Sequence, residues 1–488
     1  ALFSQAFEHV AAYGPAREGL ARVAAEALRQ GLRDCVDVLR PDELAGLEDE
    51  LRRFDQEEEH ARLLDATGWV TLRSAPSGVH VEIETGSGVL SRTTPLEHLE
   101  LPAGTYVARL EAPGFAPTVL PFLVRRSAAY AEPDIRPGRE LAVTLLPEEH
   151  LPEGFVHVPS GETLVEDDPP LWEHVESFLM RRFETSWGEL LESANRRESE
   201  RKEQIGPVDL PLLRTSAGAL ELTVDPHLPV SGASPLDMLS WSGWFDGQIE
   251  RAPPGWVTSA PTRAEWVRAA RGADGRSYPW GREFDGARCA GYVWGPGYGH
   301  DAAPVPVGMN SGDVSVFGIH DLAGSVAELA WELHEPRPGE YVTCGGSYWC
   351  DTPEDFRVTS TRENESDRPR QDVGMRLVLR PFPPELEPVD GPVTGFRDDF
   401  DRPDSQQVGN AWLEFGRYPF SVPTDPHSLE RCSIAGGTLV CLGGRGHFSE
   451  ASSAWHPLQV SPQGYRVRAQ IRGGHDPQVT PEVAAGRS

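Results

Sequence analysis

The chain changes its hydrophobic period at residue 68, and this change limits long helices to the first 66 residues. In PDELAGLEDELRRFDQEEEHARLL, the residues Leu44, Leu47 and Leu51 recur at steps of three and four and form one apolar stripe. Pro41 suits the first position of such a helix, because the N–H that proline lacks has no helical partner there. Residues 1–66 are therefore predicted to form a helical hairpin or docking linker, with Cys35 in its core.

From Gly68 onward, the pattern alternates as in β-strands and is interrupted by turns. The chain holds 49 glycines and 44 prolines, and this composition favours short strands and structured loops over helical bundles. The segment GWVTLRSAPSGVHVEIE alternates around a Pro-Ser-Gly turn, which predicts a hairpin. Together with TYVARLEAPGF and RELAVTLL, it predicts a small β-sandwich over residues 68–148.

Proline also marks a boundary near the end of the chain. Residues 382–395, FPPELEPVDGPVTG, are predicted to form a linker, because repeated prolines block both helices and strand ladders. Residues 396–488 follow as a further β segment, in which Cys432 and Cys441 are predicted strand residues.

Charge and cysteine content exclude several classes of function. The formal net charge is −30, so the surface repels phosphate groups, and binding to nucleic acid or to an anionic membrane face is not expected. No run approaches the roughly 18 apolar residues that a membrane span needs. Six cysteines are too sparse for a disulfide scaffold, which favours a reducing, cytoplasmic setting. The chain begins ALFSQ without Met, so it is expected to be a fragment, and a signal peptide could precede it.

Residues 150–381 contain short motifs in a fixed order. These are GFVHVPSGETL, FLMRRFETSWGELL, PTRAEWVRAARG, SYPWG, GIHDLAGSVAELAW, CGGSYWC and GMRLVL. The series resembles the formylglycine-generating enzyme family, also called the sulfatase-modifying factor family. The family patterns VPAGxF, EVT, PTEAEWEYAARG, YPWG, GLYDMxGNVWEW, RGGSW and GFRL have counterparts here in the same order. The resemblance implies an α+β C-type-lectin-like fold, with a small twisted sheet and long irregular loops.

The flanking segments resemble other bacterial domains. APSGVHVEI, TPL and LPAGTYVARLEAPGF resemble the PEGA family of sandwich domains, which implies a spacer or recognition unit. DDFDRPDSQQVGNAW resembles the start of a concanavalin-like jelly roll, which is partial here. The predicted fold class is thus multidomain: a helical segment, a β-sandwich, the α+β domain and a partial jelly roll. This order resembles the C-terminal part of bacterial proteins that carry a Ser/Thr kinase, which implies an upstream kinase domain as a partner.

The resemblance also implies site residues. In active members, two cysteines bind Cu(I), which activates oxygen to convert a substrate cysteine to formylglycine. Cys350 occupies the first cysteine position, and Ser347 matches the family serine, so both are catalytic candidates if activity is retained. The second position is Asp355, whose carboxylate is a hard ligand and replaces thiolate poorly on Cu(I). Cys350 and Asp355 are therefore the copper candidates.

Other motif residues are candidates for calcium or for structural roles. The calcium-binding segments of the family diverge here, and Ser325 and Glu328 are the remaining calcium candidates. Trp280 of SYPWG is predicted to fill irregular core. Arg376 is predicted to be buried and paired with Glu328, because a buried guanidinium needs a carboxylate or carbonyl partner.

Cys344 lies six residues before Cys350, on the other side of Gly345 and Gly346. On a regular strand the two side chains would share a face about 20 Å apart. The glycines suggest a bulge or a close backbone approach, which would shorten this span. We predict two unconnected buried cysteines; a lone exposed thiol at Cys350 and a metal or redox pair remain open.

These observations predict a multidomain recognition or regulatory protein. Its central domain would keep the family fold, lack the full Cu(I) oxidase site and bind a peptide, protein or glycan. The alternative is an active formylglycine-generating or related copper- and oxygen-dependent oxidase acting on a protein cysteine. A third possibility is a structural array that separates a kinase from its partner. The only cofactors implied are copper and calcium, both by resemblance.

Overall fold

A computed structural model describes most of the chain in several stretches. They are residues 14–55, 58–126, 140–196, 212–214, 220–245, 247–289, 303–331, 341–364 and 369–381, and four short strands beyond residue 412. The chain divides into two compact units, Ala1–Phe382 and Pro383–Ser488. Within the described stretches, no helix combines the length and the apolar character needed to cross a membrane.

Helices dominate the start of the first unit. They are α1 (Gly14–Arg33), α2 (Val36–Leu39), α3 (Pro41–Phe54) and α4 (Ala61–Leu64). Pro41 is the first residue of α3, a position where the N–H that proline lacks would have no helical partner. Leu28 of α1 and Leu51 of α3 are buried in one shared apolar cluster. The predicted helical segment is therefore helical from residue 14, and residues 1–13 lie outside the described stretches.

Seven strands follow in two sheets. They are β1 (Thr67–Ala75), β2 (His80–Thr85), β3 (Gly88–Thr93), β4 (Leu96–Pro102), β5 (Gly104–Glu111), β6 (Thr118–Val124) and β7 (Glu140–Thr144). One sheet has the order β3-β2-β5-β6 and the other the order β4-β1-β7. Neighbouring strands are antiparallel except for the parallel pair β1 and β7. Both sheets contribute to one apolar core.

The predicted hairpin around the Pro-Ser-Gly turn is wrong. β1 pairs with β4 and β7, whereas β2 pairs with β3 and β5, so the turn joins the two sheets instead of two neighbouring strands. Val70 of β1 and Val81 of β2 both face the shared core. Alternation and turn residues predict only that the chain reverses its direction. The two strands lie in different sheets because their apolar faces are buried against each other in the core between the sheets.

Fifteen short helices and strands lie in the described part of the central domain, besides short 3-10 helices. They are β8 (Phe155–Val158), β9 (Gly161–Asp167), β10 (Pro170–Val175), β11 (Phe178–Arg181), α5 (Trp187–Arg196), β12 (Leu212–Arg214), β13 (Leu220–Leu222), α6 (Pro235–Ser242), β14 (Trp256–Ser259), α7 (Arg263–Arg271), β15 (Ala327–Trp331), β16 (Tyr341–Cys344), β17 (Thr361–Asn364), β18 (Val373–Gly374) and β19 (Val378–Pro381). Two four-stranded sheets, β14-β19-β11-β8 and β17-β16-β15-β18, form its frame. In the described residues, β9 pairs with β10 and β12 pairs with β13 in two small antiparallel hairpins.

Helix α7 lies within the motif PTRAEWVRAARG and is capped at both ends by residues of that motif. Thr262 Oγ1 accepts a hydrogen bond from Glu265 N at 3.1 Å, and Glu265 Oε2 accepts one from Thr262 N at 2.7 Å. This reciprocal cap satisfies two N–H groups that the helix itself leaves unpaired. Gly272 ends the helix at φ 76°. The buried Trp266 of α7 then reaches the second four-stranded sheet.

Three arginines join the N-terminal helices to the rest of the first unit. Arg125 Nη2 donates to Leu32 O at 2.7 Å, and Arg126 forms an ion pair with Glu48. Arg282 of the central domain donates from Nη2 to Val38 O at 2.6 Å. Leu32 and Val38 lie at the ends of α1 and α2, where carbonyl groups lack helical partners and carry the negative end of the helix dipole. The N-terminal helical segment is therefore docked against both the β-sandwich and the central domain.

The second unit contains two antiparallel strand pairs. Its described strands are β20 (Leu413–Arg417), β21 (Cys432–Ala435), β22 (Thr438–Cys441) and β23 (Ala451–Trp455), and β20 pairs with β23 while β21 pairs with β22. Cys432 and Cys441 thus lie in strands. The predicted linker, and the predicted jelly roll apart from these strands, lie outside the described residues.

Candidate functional site

Strand β16 ends at Cys344, and the two glycines that follow set the path of the backbone into the candidate site. Gly345 has φ 75°, and a Cβ atom there would lie 2.7 Å from Leu322 O. A Cβ atom on Gly346 would lie 2.8 Å from Ala323 O. The backbone therefore passes close to the neighbouring loop only because both residues lack a side chain. The close backbone approach predicted here is present, and it leads directly into Ser347.

Cys350 is buried, and its sulfur accepts two hydrogen bonds and also contacts a hydroxyl group. The turn that carries it is closed by Cys350 N donating to Ser347 O at 2.9 Å. Its Sγ atom lies 3.3 Å from Ser347 N, 3.6 Å from Ser347 Oγ and 2.9 Å from Nη2 of Arg362. The side chain is 8% exposed, so Cys350 is not the exposed lone thiol that the sequence left open.

Arg362 of β17 joins Cys350 to Asp355. The same Nη2 atom lies 2.9 Å from Asp355 Oδ1, while Asp355 Oδ2 accepts a hydrogen bond from Thr352 Oγ1 at 2.7 Å. Although burial raises it, the pKa of Asp355 is lowered overall by the hydrogen bonds from Thr352 and Arg362. Burial lowers the pKa of Arg362, but Cys350 and Asp355 raise it overall. The cation is therefore held between a sulfur and a carboxylate.

Ser347 connects this group to a second ion pair. Its Oγ atom lies 3.1 Å from Asp372 Oδ2. Arg370 contacts the same carboxylate through Nε at 3.1 Å and through Nη2 at 2.8 Å. Asp372 is fully buried, and the two bonds from Arg370 supply the partner that a buried carboxylate needs. This network fixes the direction of the Ser347 hydroxyl beside Cys350.

The residues present do not fit the Cu(I) ion that the resemblance implies. Cu(I) is soft and prefers thiolate or thioether ligands, whereas the position of the second cysteine carries a hard carboxylate. Arg362, a permanent cation, contacts both Cys350 and Asp355. In the described stretches, no three histidine, cysteine or acidic side chains converge to hold a metal ion.

Cys344 and Cys350 belong to different parts of the core. Cys344 packs with Trp266 in one apolar cluster, while Cys350 packs with Tyr278, Cys289 and Phe356 in another. The prediction of two unconnected buried cysteines agrees with this packing. Sequence reasoning missed Cys289, since nothing in CAGY indicates that it approaches Cys350. Burial, together with nearby acids, raises the pKa of the Cys289 thiol.

Glu328 of β15 is occupied by an ion pair in the core. Nε of Arg376 lies 3.0 Å from its Oε1 and 2.9 Å from its Oε2, and Trp266 Nε1 donates to Oε2 at 2.8 Å. Arg376 and Glu328 are almost completely buried. The Arg376 guanidinium already supplies the positive charge beside this buried carboxylate, so Glu328 does not fit a calcium ligand. Ser325, at φ 65°, is buried beside this strand.

Three further buried acids were missed by sequence reasoning. They are Glu184, Asp313 and Asp321, and within the described part of the chain one oxygen of each lacks a hydrogen-bond partner. Burial and neighbouring acids raise the pKa of Glu184 well above its usual value. Burial likewise raises the pKa of Asp313 to about 7 and that of Asp321 to about 6. The acids in FETSW and GIHD are visible in the sequence, but their burial is not.

Aromatic side chains border the site. Trp280 is only half-buried; it stacks on the buried Tyr278 at 5.4 Å between ring centroids and an angle of 9°. As predicted, Trp280 packs against a core cluster, the one that contains Tyr278 and Cys350, but only part of its side chain is buried, and its Nε1 donates to Glu283 O at 3.0 Å. Trp349, next to Cys350, is 49% exposed.

The fold and this site define a mixed α/β domain built around a glycine-dependent loop. Residues 144–381 match the family model of the sulfatase-modifying factor enzyme 1-like domain, so this part of the chain is such a domain. It begins six residues before the predicted boundary at 150 and ends at the predicted residue 381.

Several solved structures are similar to this chain. CarF is 20% identical, with a TM-score of 0.34, over 47% of this chain and 98% of that one. PvdO from Pseudomonas aeruginosa is 20% identical, with a TM-score of 0.34, over 46% of this chain and 93% of that one. Treponema denticola variable protein 1 is 15% identical, with a TM-score of 0.36, over 46% of this chain and 95% of that one. No curated protein matched the chain.

Proposed function

We propose that this chain is a recognition or regulatory protein whose sulfatase-modifying factor enzyme 1-like domain binds a ligand without copper chemistry. The observation that carries the proposal is the position of Arg362, whose Nη2 lies 2.9 Å from both Cys350 Sγ and Asp355 Oδ1. An internal cation thus contacts the two side chains that occupy the family's copper positions.

Ligand preference supports the same proposal. A Cu(I) ion would have to displace Arg362 from both contacts and would gain one sulfur and one hard oxygen ligand. The guanidinium instead gains two polar contacts without losing its charge. Cys350 and Ser347 then act as structural residues of the loop, together with Asp372, and not as catalytic residues.

Exposed apolar side chains support binding by the loops. Trp349 is 49% exposed beside the buried site, and Met309 is 69% exposed. Of the two, Trp349 lies next to Cys350 in sequence, so its exposed ring offers an apolar contact for a ligand beside the buried site. The proposed ligand is a peptide, protein or glycan. The flanking domains would act as a PEGA-like spacer and a partial jelly roll, with a kinase domain upstream in a longer protein.

The alternative is an oxidase that uses Cys350 with an unusual second ligand, and one experiment separates the two. Purified protein is incubated with Cu(I), oxygen, a thiol reductant that supplies the two further electrons for O2, and a peptide containing CxPxR, and the peptide is analysed by mass spectrometry. Conversion of cysteine to formylglycine lowers the mass by about 18 Da, and copper content is measured in parallel. We expect neither product nor bound copper.

Cys350→Ser is the control for this assay. Turnover by the wild type that disappears in Cys350→Ser would overturn the proposal and favour the oxidase. The purely structural alternative is tested by deletion of residues 150–381 from the chain. Ligand binding that survives this deletion would assign recognition to another part of the protein.

A further inference from the structure

The hairpin of β21 and β22 places two cysteines opposite each other. In its antiparallel register, Cys432 pairs with Cys441, and Ala435 pairs with Thr438. The sequence CSIAGGTLVC has the same symmetry, with four residues on each side of Gly436 and Gly437. Gly-Gly is a favoured two-residue loop of β-hairpins, because both positions need positive φ. Backbone register and turn chemistry therefore agree on the same pairing.

We propose that Cys432 and Cys441 form a disulfide bond across this hairpin. Directly opposite residues of an antiparallel pair have Cα atoms about 4.5 or 5.5 Å apart, depending on the type of pair, and belong to the same face of the sheet. Disulfides bridge Cα atoms about 4.4–6.8 Å apart. Both possible separations lie in this range, so the bond requires no movement of the backbone.

The reaction is thiol–disulfide exchange with a small-molecule disulfide such as glutathione disulfide. The thiolate of one cysteine attacks the oxidant, forms a mixed disulfide and releases one small thiol. The thiolate of the second cysteine then attacks the protein sulfur of that mixed disulfide and releases the other small thiol. The two protein thiols lose two electrons and two protons, and the oxidant gains them as two thiols.

This bond would fix the register of the hairpin, and it goes beyond the proposed recognition function. A paired, symmetric cysteine hairpin indicates a setting in which disulfides persist, such as a periplasm or the cell exterior. That is a different setting from the reducing cytoplasm that the low cysteine content favours. Two cysteines suffice for one bond, even where six are too few for a disulfide scaffold.

The full chain is purified without reductant, denatured in N-ethylmaleimide and digested with trypsin. Arg431 and Arg445 release both cysteines in one peptide, residues 432–445. We expect this peptide to be unlabelled and about 2 Da lighter than its reduced form, and to take two labels after reduction. The buried thiols Cys35, Cys289, Cys344 and Cys350 should be labelled directly. Two labels on the unreduced peptide, or a link from it to another cysteine, would overturn the proposal.

A register control separates strand pairing from mere proximity in sequence. The double variant Cys432→Ser/Ser433→Cys keeps the composition but moves one cysteine to the other face of its strand. In a glutathione redox buffer, we expect the equilibrium constant for disulfide formation to fall at least about tenfold in this variant. For the wild type, the equilibrium constant for disulfide formation should fall by a similar factor when the protein is placed in strong denaturant. Equal constants for both proteins in native buffer would show that the hairpin does not pair the cysteines.

Discussion

Arg362 Nη2 lies 2.9 Å from the Sγ atom of Cys350 and 2.9 Å from Oδ1 of Asp355, so one guanidinium group joins the two residues that the family resemblance suggested as copper candidates. Arg362 lies on β17, whereas the other two residues lie in the loop after β16. Arg362 thus forms an ion pair with Asp355 and also contacts the sulfur of Cys350, so a side-chain cation lies where a metal ion would need to bind both residues.

Removing the Arg362 guanidinium and placing a thiol at position 355 should create a site that binds Cu(I). The double variant Arg362→Ala/Asp355→Cys supplies two thiols and no competing charge, so its Cu(I) affinity should exceed that of the wild type by at least about tenfold. Competition with a chromogenic Cu(I) chelator measures this affinity. Asp355→Cys alone should be intermediate, because Arg362 still contacts Cys350. Wild-type protein that binds Cu(I) as tightly as the double variant would contradict the role assigned to Arg362.

The buried pair of Arg376 and Glu328 should be costly to break from one side. Arg376→Met leaves the Glu328 carboxylate buried with Trp266 as its remaining side-chain donor, and the free energy of unfolding should fall by about 3–5 kcal/mol. Chemical denaturation measures this change. Arg376→Met/Glu328→Gln removes both charges and should lose less than the single variant. An Arg376→Met protein of unchanged stability would show that the pair is dispensable.

His157 should make the protein less stable in acid. Burial, with a further contribution from Arg268, lowers the pKa of His157 from 6.5 to about 4 in the folded state. The ring is held between Thr118 of β6 and Ser177 of the central domain. Because the unfolded state binds the proton more readily, this contribution is fully present above pH 6.5. It is lost as the pH falls through 4, and the total loss is at most about 3 kcal/mol.

The measurement is the free energy of unfolding between pH 7 and pH 4 for wild type and His157→Gln. The variant should show a weaker dependence on pH in this window, although it is less stable at pH 7. Parallel curves for the two proteins would mean that His157 does not titrate as its burial requires.

Gly345 should not tolerate a side chain. Its φ of 75° disfavours other residues, and a Cβ atom would lie 2.7 Å from Leu322 O, so Gly345→Ala should destabilise the protein by at least about 1–3 kcal/mol. Thermal unfolding measures the loss. Gly46→Ala is the matched control: it lies inside α3, and among the described residues no atom is within 4 Å of its added Cβ. That change should stabilise the protein by about 0.5–1 kcal/mol, because alanine favours helix more than glycine does.

Local features were predictable from the sequence. The apolar stripe of Leu44, Leu47 and Leu51 predicted α3, and Pro41 predicted its start. The order of motifs predicted the sulfatase-modifying factor-like domain to within six residues at its start. These features depend on residues that are close in sequence, so a window of about ten residues contains the relevant hydrogen bonds and apolar periodicity.

Tertiary structure decided which residues meet. It separated β1 from β2 into different sheets and buried Cys344 apart from Cys350. It also brought Arg362 to Cys350, a contact that no motif indicates. The sequence alone determined the helical start of the chain, the change to β-strands at residue 68 and the motif order by which residues 144–381 match a sulfatase-modifying factor enzyme 1-like domain. The fold selected the partners of each buried charge and thiol, because their energies depend on burial and on contacts between elements that lie far apart in the chain.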